Sequence, residues 1–278
     1  MSDDADEYVD IRGLGRCVHL QVDDPMLRAD LRYLWADCSA RPDWSCRDVE
    51  PDLAVHVHGL GPWHVESAAH DETCGDRESA VGAACAAVNV TLATQTPLLA
   101  VHAAVVAKRG VTVVIPGESG AGKTTLTVAL LQQGWAYATD EAYAVDWDSD
   151  VARAYPRPLG ISDWTAETLA VTGGVPGIEE RFVRAGDLGA QAVTELLTVG
   201  HIVLLDRTSG AYPAKPSLTS AHRADALEMM LRESFTHYRR PEQALLRLSD
   251  VVRAADVWRL RYGDPAIAAR FIDDAFAS

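Results

Sequence analysis

Gly117-Glu118-Ser119-Gly120-Ala121-Gly122-Lys123-Thr124 fills the pattern G-x-x-x-x-G-K-[ST] completely. Such a loop has a definite chemical use. Its glycines let backbone N–H groups turn inward around a polyphosphate, and the N-terminus of the following helix adds its partial positive charge. Lys123 has the reach to neutralise the outer phosphates, and the Thr124 hydroxyl is placed to ligate Mg²⁺. Thr125 extends the same first helical turn. The pattern implies a nucleoside triphosphate with Mg²⁺ as the bound species.

Three further features lie near the loop in sequence. Asp140 and Glu141 come just after the helix that follows Lys123. Adjacent carboxylates at a strand edge can divide two tasks, one holding the metal and one accepting a proton from an incoming hydroxyl. His102 sits in an apolar run one hairpin before the loop. It reads either as a hydrogen-bonded core histidine or as a group that supports the base or contacts the transferred phosphoryl group. Arg157, between Pro156 and Pro158, is a guanidinium on a stiff segment, either gripping phosphate or lying on the surface. Asp206 resembles a metal-binding aspartate at a strand end but reads more simply as an ordinary strand terminus. His56, His58 and His64 alternate on a hairpin without the partners a metal site would need. The basic group Arg232, His237, Tyr238, Arg239 and Arg240 reads as a solvated helix end.

The elements that must hold these groups are legible in the periodicity. Val111–Ile115 is a β-branched run entering the loop, and Leu126–Leu131 a helix closed by Gly134. Leu98–Val106 is a strand joined to the loop's own strand by Lys108-Arg109-Gly110, so the loop is entered through an antiparallel hairpin. Strands are expected at 137–141, 142–145, 201–206 and 257–262, with helices over 220–234 and 265–276. Residues 155–159 are too proline-rich for a central strand, and 165–197 read as peripheral. Upstream, the first residues read as a charged tail. They are followed by a strand at 18–22, a helix over 24–36, a loop from Cys38 to Pro51, a hairpin over 53–66 and a helix over 78–92. The expected organisation is an α+β region at 1–94, accessory or acceptor-binding, and a catalytic domain at 95–278.

Composition limits the partners. A net charge of −15 over 278 residues disfavours a nucleic-acid groove. Five scattered cysteines without a Cys-x-x-Cys read as reduced thiols. The acidic start does not resemble a secretory signal, and no window has the apolar length of a membrane span. A cytoplasmic protein without membrane association is expected, and a homo-oligomer is compatible with all of this.

In order and spacing, His102-Ala103-Ala104-Val105-Val106, the loop 117–124, Thr139-Asp140-Glu141 and Pro156-Arg157-Pro158 resemble the core of HPr kinase/phosphorylase. They look closer still to the HPr-kinase-like enzymes of peptide-tailoring clusters, including lasso-peptide kinases. The resemblance spans roughly residues 95–278 and implies an α/β P-loop kinase core of the HPr kinase/phosphoenolpyruvate carboxykinase type, with a small N-terminal α+β region. It implies phosphoryl transfer from ATP to a serine hydroxyl, with His102, Lys123, Thr124, Asp140 and Glu141 as the catalytic set. The chain carries Asp-Glu where the family commonly has Asp-Asp, and Thr125 where the HPr enzymes carry an acid. The second HPr signature is missing near 185–205, which argues against HPr itself as acceptor. The expected activity is therefore ATP- and Mg²⁺-dependent phosphorylation of a serine or threonine hydroxyl in a peptide or protein. Asp140 is expected as base, assisted by His102, with Glu141 and Thr124 at the metal; the two carboxylates can exchange roles. The alternatives are a small-molecule hydroxyl kinase and a nucleotide-dependent switch.

Overall fold

The computed structural model describes residues 8–39, 53–148, 151–193, 197–206 and 215–277. The chain is a mixed α/β protein with several sheets. None of its described helices is long and apolar enough to cross a membrane. It divides into two compact units, one of Met1–Pro97, Arg157–Glu167 and Thr172–Arg184, the other of Leu98–Pro156, Thr168–Val171 and Ala185–Ser278. The first unit thus takes in two stretches that the sequence reading placed in the second domain.

The first unit opens with β1 (Tyr8–Gly13) and β2 (Arg16–Val22), an antiparallel pair. Asp24 then caps α1 (Pro25–Leu34), its carboxylate accepting from the backbone N–H of Met26 and Leu27, with Pro25 pre-set for the first turn. The spacing of Leu27, Leu31 and Leu34 puts all three on one buried face. After the short α2 (Ala36–Ser39), β3 (Leu53–His58) pairs in parallel with β2, and β4 (Trp63–Ser67) and β5 (His70–Cys74) continue antiparallel. Alternation sends Val55, Val57 and Val65 into the core and His56, His58 and Glu66 outward. The long α3 (Arg77–Gln95), capped by Asp76, packs across this sheet and buries Val81, Cys85, Val88 and Leu92. The loop expected from Cys38 to Pro51 lies mostly outside the described residues. The reduced state expected for all five cysteines does not hold: Cys17 is disulfide-bonded, whereas Cys38, Cys74 and Cys85 are buried thiols.

The second unit is built on β6 (Leu99–Lys108) and β7 (Val111–Pro116), the expected antiparallel hairpin, with Arg109 and Gly110 both at positive φ in the turn. Next come α4 (Lys123–Leu131), β8 (Ala136–Thr139), β9 (Ala142–Val145) and β10 (Val151–Arg153). The chain then returns to the first unit with β11 (Leu159–Ser162), most of α5 (Asp163–Thr168), β12 (Val175–Pro176) and β13 (Glu180–Val183). Among the described residues these three strands form a sheet of their own, in the order β11-β13-β12, and Arg184 beyond them pairs with Asp37 at 2.5 Å. The remaining elements are β14 (Leu197–Thr198), β15 (His201–Leu205), β16 (Ser217–Ser220), α6 (Arg223–Arg232), α7 (Pro241–Ala254), β17 (Asp256–Arg261) and α8 (Pro265–Phe276). The large sheet runs β14-β10-β9-β6-β7-β15-β17-β16, with β8 also pairing to β6. At its centre β7 is flanked by β6, antiparallel, and β15, parallel. Leu99, Val101, Val105, Val114, Ile202, Met230, Leu248 and Val251 share one buried cluster beneath it.

Candidate functional site

The glycine-rich segment leaves the end of β7 and feeds directly into α4. Gly120 and Gly122 both take the left-handed conformation, at φ 73° and 92°, which turns the chain sharply enough for the helix to start at Lys123. Gly122 is the helix's N-cap and offers no side chain to cover the first N–H groups. A helix start of this kind suits an anion. Glu118, Ser119 and Gly120 form an exposed rim, whereas Gly117 and Lys123 are buried. Lys123 folds back on its own loop: Nζ donates to the carbonyl oxygens of Gly117 at 2.6 Å and Glu118 at 2.9 Å. Burial holds its pKa below the ordinary lysine range, opposed by the charges of Glu141, Glu233, Asp140 and Glu118.

Asp140 and Glu141 occupy the turn between β8 and β9. The turn is tied by Thr139, whose hydroxyl oxygen accepts from the N–H of Glu141 at 3.1 Å and of Ala142 at 3.2 Å. Asp140 is buried, and both of its carboxylate oxygens are engaged. Thr124 donates its hydroxyl to Oδ2 at 3.0 Å, and Tyr137 donates its phenol to Oδ1 at 2.8 Å. Glu141 is half-buried, and its backbone oxygen accepts from Ala103 of β6 at 3.2 Å, so the acidic turn is docked on the strand that carries His102.

His102 is fixed at both ends of its peptide unit. Its N–H donates to the carbonyl of Glu233 at 2.8 Å, and its own carbonyl accepts from Gly117 at 3.4 Å. Burial, reinforced by the Lys123 charge, pushes the imidazole below its ordinary pKa, against the pull of Glu141, Glu233 and Asp140. The second unit therefore brings together His102, Gly117, Lys123, Thr124, Asp140 and Glu141. It adds Tyr137 and Glu233, which the sequence reading did not single out. Glu233 had one available signal: a carboxylate closing a helix C-terminus opposes the helix dipole.

Other positions have partners of their own. Arg157 is counted with the first unit, where its charge acts on the buried thiol of Cys85. Asp206 pairs with Arg261 at 3.0 Å. His56 and His58 stack at 5.5 Å, and His58 lies 3.3 Å from Glu66. In the basic group, Arg232 pairs with Glu233, Arg239 lies over Tyr238, and Arg240 lies over Trp147.

The donor set around Thr124 is all oxygen, which suits a hard cation such as Mg²⁺. Among the described residues no group of three or more His, Cys, Asp or Glu side chains is arranged to hold a metal alone. The chain matches no protein-family model, and no curated protein matches it.

Proposed function

We propose that the second unit is an ATP- and Mg²⁺-dependent phosphotransferase with a P-loop core of the HPr-kinase type, acting on a serine or threonine hydroxyl of a peptide or protein. The observation that carries this reading is the convergence on one phosphate loop of a buried lysine, a Thr124–Asp140 hydroxyl–carboxylate pair, a second carboxylate and a histidine. The antiparallel hairpin leading into the loop agrees with the resemblance drawn from the sequence.

The roles follow from what each group already holds. Lys123 exchanges the carbonyls of Gly117 and Glu118 for the outer phosphates, and the N–H groups at the start of α4 bind the inner ones. Thr124 and Asp140 form the metal side of the site, with Tyr137 holding the far oxygen of Asp140 in place. Mg²⁺ bound there would neutralise charge on the transferred group. Proton acceptance passes to Glu141 and His102, reversing the assignment of Asp140 as base that the sequence alone favours. Its two hydroxyl donors are the reason, because a carboxylate whose oxygens both accept hydrogen bonds is a poorer base.

The test is incubation with ATP labelled at the γ-phosphate, Mg²⁺ and separate pools of serine/threonine peptides and small hydroxylated metabolites. Label in phosphoserine or phosphothreonine supports the reading. Label only in a metabolite replaces the acceptor class, and label only in inorganic phosphate replaces transfer with a nucleotide-dependent switch.

A further inference from the structure

Glu233 ends α6, and the residues after it are stitched to the first half of β6. Phe235 N–H donates to the Ala100 carbonyl at 2.9 Å, and the Ser234 hydroxyl donates to the same oxygen at 3.0 Å. The wholly buried Thr236 accepts from Ala100 N–H at 3.0 Å and donates to the Leu98 carbonyl at 3.2 Å. This latch fixes the Glu233 side chain beside His102. Oε1 is taken by Arg232 at 3.2 Å, and Oε2 faces His102 Nδ1 at 3.8 Å. The imidazole lies 5.9 Å, centre to centre, from the ring of Phe235, and only 18% of the histidine side chain and 13% of the glutamate side chain are exposed.

We infer that Glu233 is the positioning residue that makes His102 a proton acceptor in phosphoryl transfer, by fixing the imidazole proton on Nδ1 and leaving Nε2 bare. The chemistry of this role presupposes the phosphotransferase reading; the tautomer follows from the geometry. An ionised carboxylate only accepts hydrogen bonds, so it favours a proton on the ring nitrogen that faces it. At 3.8 Å the contact is electrostatic rather than a hydrogen bond. Burial and the Lys123 ammonium favour the neutral imidazole, in which a proton on Nδ1 leaves Nε2 with its lone pair. This decides between the two uses that a histidine at this point could have. Nε2 cannot donate to a phosphoryl oxygen in that state; it can accept.

In the step, the O–H bond of the acceptor breaks and its proton forms a bond to Nε2. The hydroxyl oxygen forms a bond to the γ-phosphorus as the bond from that phosphorus to the leaving ADP oxygen breaks. The imidazolium so formed is stabilised by the Glu233 carboxylate behind it. Placing an acid at a helix C-terminus, against the dipole, is accounted for by this use.

The test is ¹⁵N NMR of the imidazoles in the full-length protein, assigned with His102→Gln, beside single-turnover transfer. Wild-type His102 is expected as the neutral Nδ1–H tautomer. Glu233→Leu should move the proton towards Nε2 and slow transfer at least tenfold with nucleotide affinity unchanged. Glu233→Gln, whose amide oxygen still accepts, should keep the tautomer and transfer faster than Glu233→Leu. A wild-type proton on Nε2, or the same tautomer in wild type and Glu233→Leu, overturns the inference. The wild-type spectrum alone suffices to do so if Glu233→Leu does not fold. Absence of transfer to any acceptor would instead count against the phosphotransferase reading, which the tautomer does not test.

Discussion

Thr124 donates its hydroxyl to Oδ2 of Asp140 at 3.0 Å, tying the first turn of the loop's helix to the acidic turn between β8 and β9. Because Tyr137 donates to the other oxygen, the carboxylate is held by two hydroxyl groups at once. Asp140→Asn replaces one accepting oxygen with a donor, so one of the two hydroxyls loses its acceptor. The expected result is a rise of about tenfold or more in the Mg²⁺ concentration for half-maximal turnover. Thr124→Ala should act in the same direction, and the double variant should cost less than the sum of the two. Metal titrations of the three proteins provide the check. An unchanged Mg²⁺ dependence in Asp140→Asn removes the residue from the metal side.

Glu141 is expected to affect transfer rather than binding. Glu141→Gln should slow single-turnover transfer by roughly a hundredfold, the usual scale for losing an acid–base group that works beside His102, with ATP affinity and Mg²⁺ dependence near wild type. A Glu141→Gln protein that transfers normally but needs far more Mg²⁺ would return the two carboxylates to the opposite assignment.

The loop and its surroundings were legible because each piece carries a local signal. The glycine spacing, the β-branched run of β7 and the turn at Lys108-Arg109-Gly110 are all read within a few residues. The placement of Glu233 beside His102 was not legible, because it depends on contacts between residues up to 138 apart in sequence, through the hydroxyls of Ser234 and Thr236. β5 carries no strand signal, because His70-Asp71-Glu72-Thr73-Cys74 has no apolar alternation. In α7 the exposed Leu245 and Leu246 blur the stripe formed by Ala244, Leu248, Val251 and Val252. β1 directly follows the acidic start, whose charge masks the beginning of the strand, and the first seven residues lie outside those described.

Thr127, on α4, carries a wholly buried hydroxyl with no hydrogen-bond partner among the described residues. Thr127→Val keeps the shape and removes the unsatisfied oxygen. It should stabilise the protein by about 1 kcal/mol, the lower end of the cost of burying an unpaired polar group. Urea denaturation measures this directly. A destabilised Thr127→Val protein would mean that the hydroxyl has a partner after all.

His201 stacks on Phe276 at 4.2 Å and accepts from Trp258 Nε1 at 3.3 Å, an arrangement that requires an unprotonated ring nitrogen. Burial lowers its pKa, opposed by the Asp256 charge. The unfolded chain therefore takes up this proton first, and the contribution is complete above the ordinary histidine value of 6.5. It is lost as pH falls from there towards the lower folded value. Comparing urea midpoints at about pH 7.5 and 5.5 should show a smaller acid-induced drop in His201→Phe than in wild type, since one of the groups responsible is gone. Equal drops would contradict the linkage.

The nucleotide site itself is tested most directly by calorimetric titration of ATP with Mg²⁺ into wild-type and Lys123→Ala proteins. Lys123 is buried against the carbonyls of Gly117 and Glu118, and its exchange of those partners for phosphate is the step on which every other role depends. The account predicts saturable binding by the wild type and a loss of at least about a hundredfold in a folded Lys123→Ala protein, the scale of removing a charge-assisted contact from a desolvated site. Wild-type protein that binds no nucleoside triphosphate, or Lys123→Ala protein that binds ATP with undiminished affinity, would contradict it.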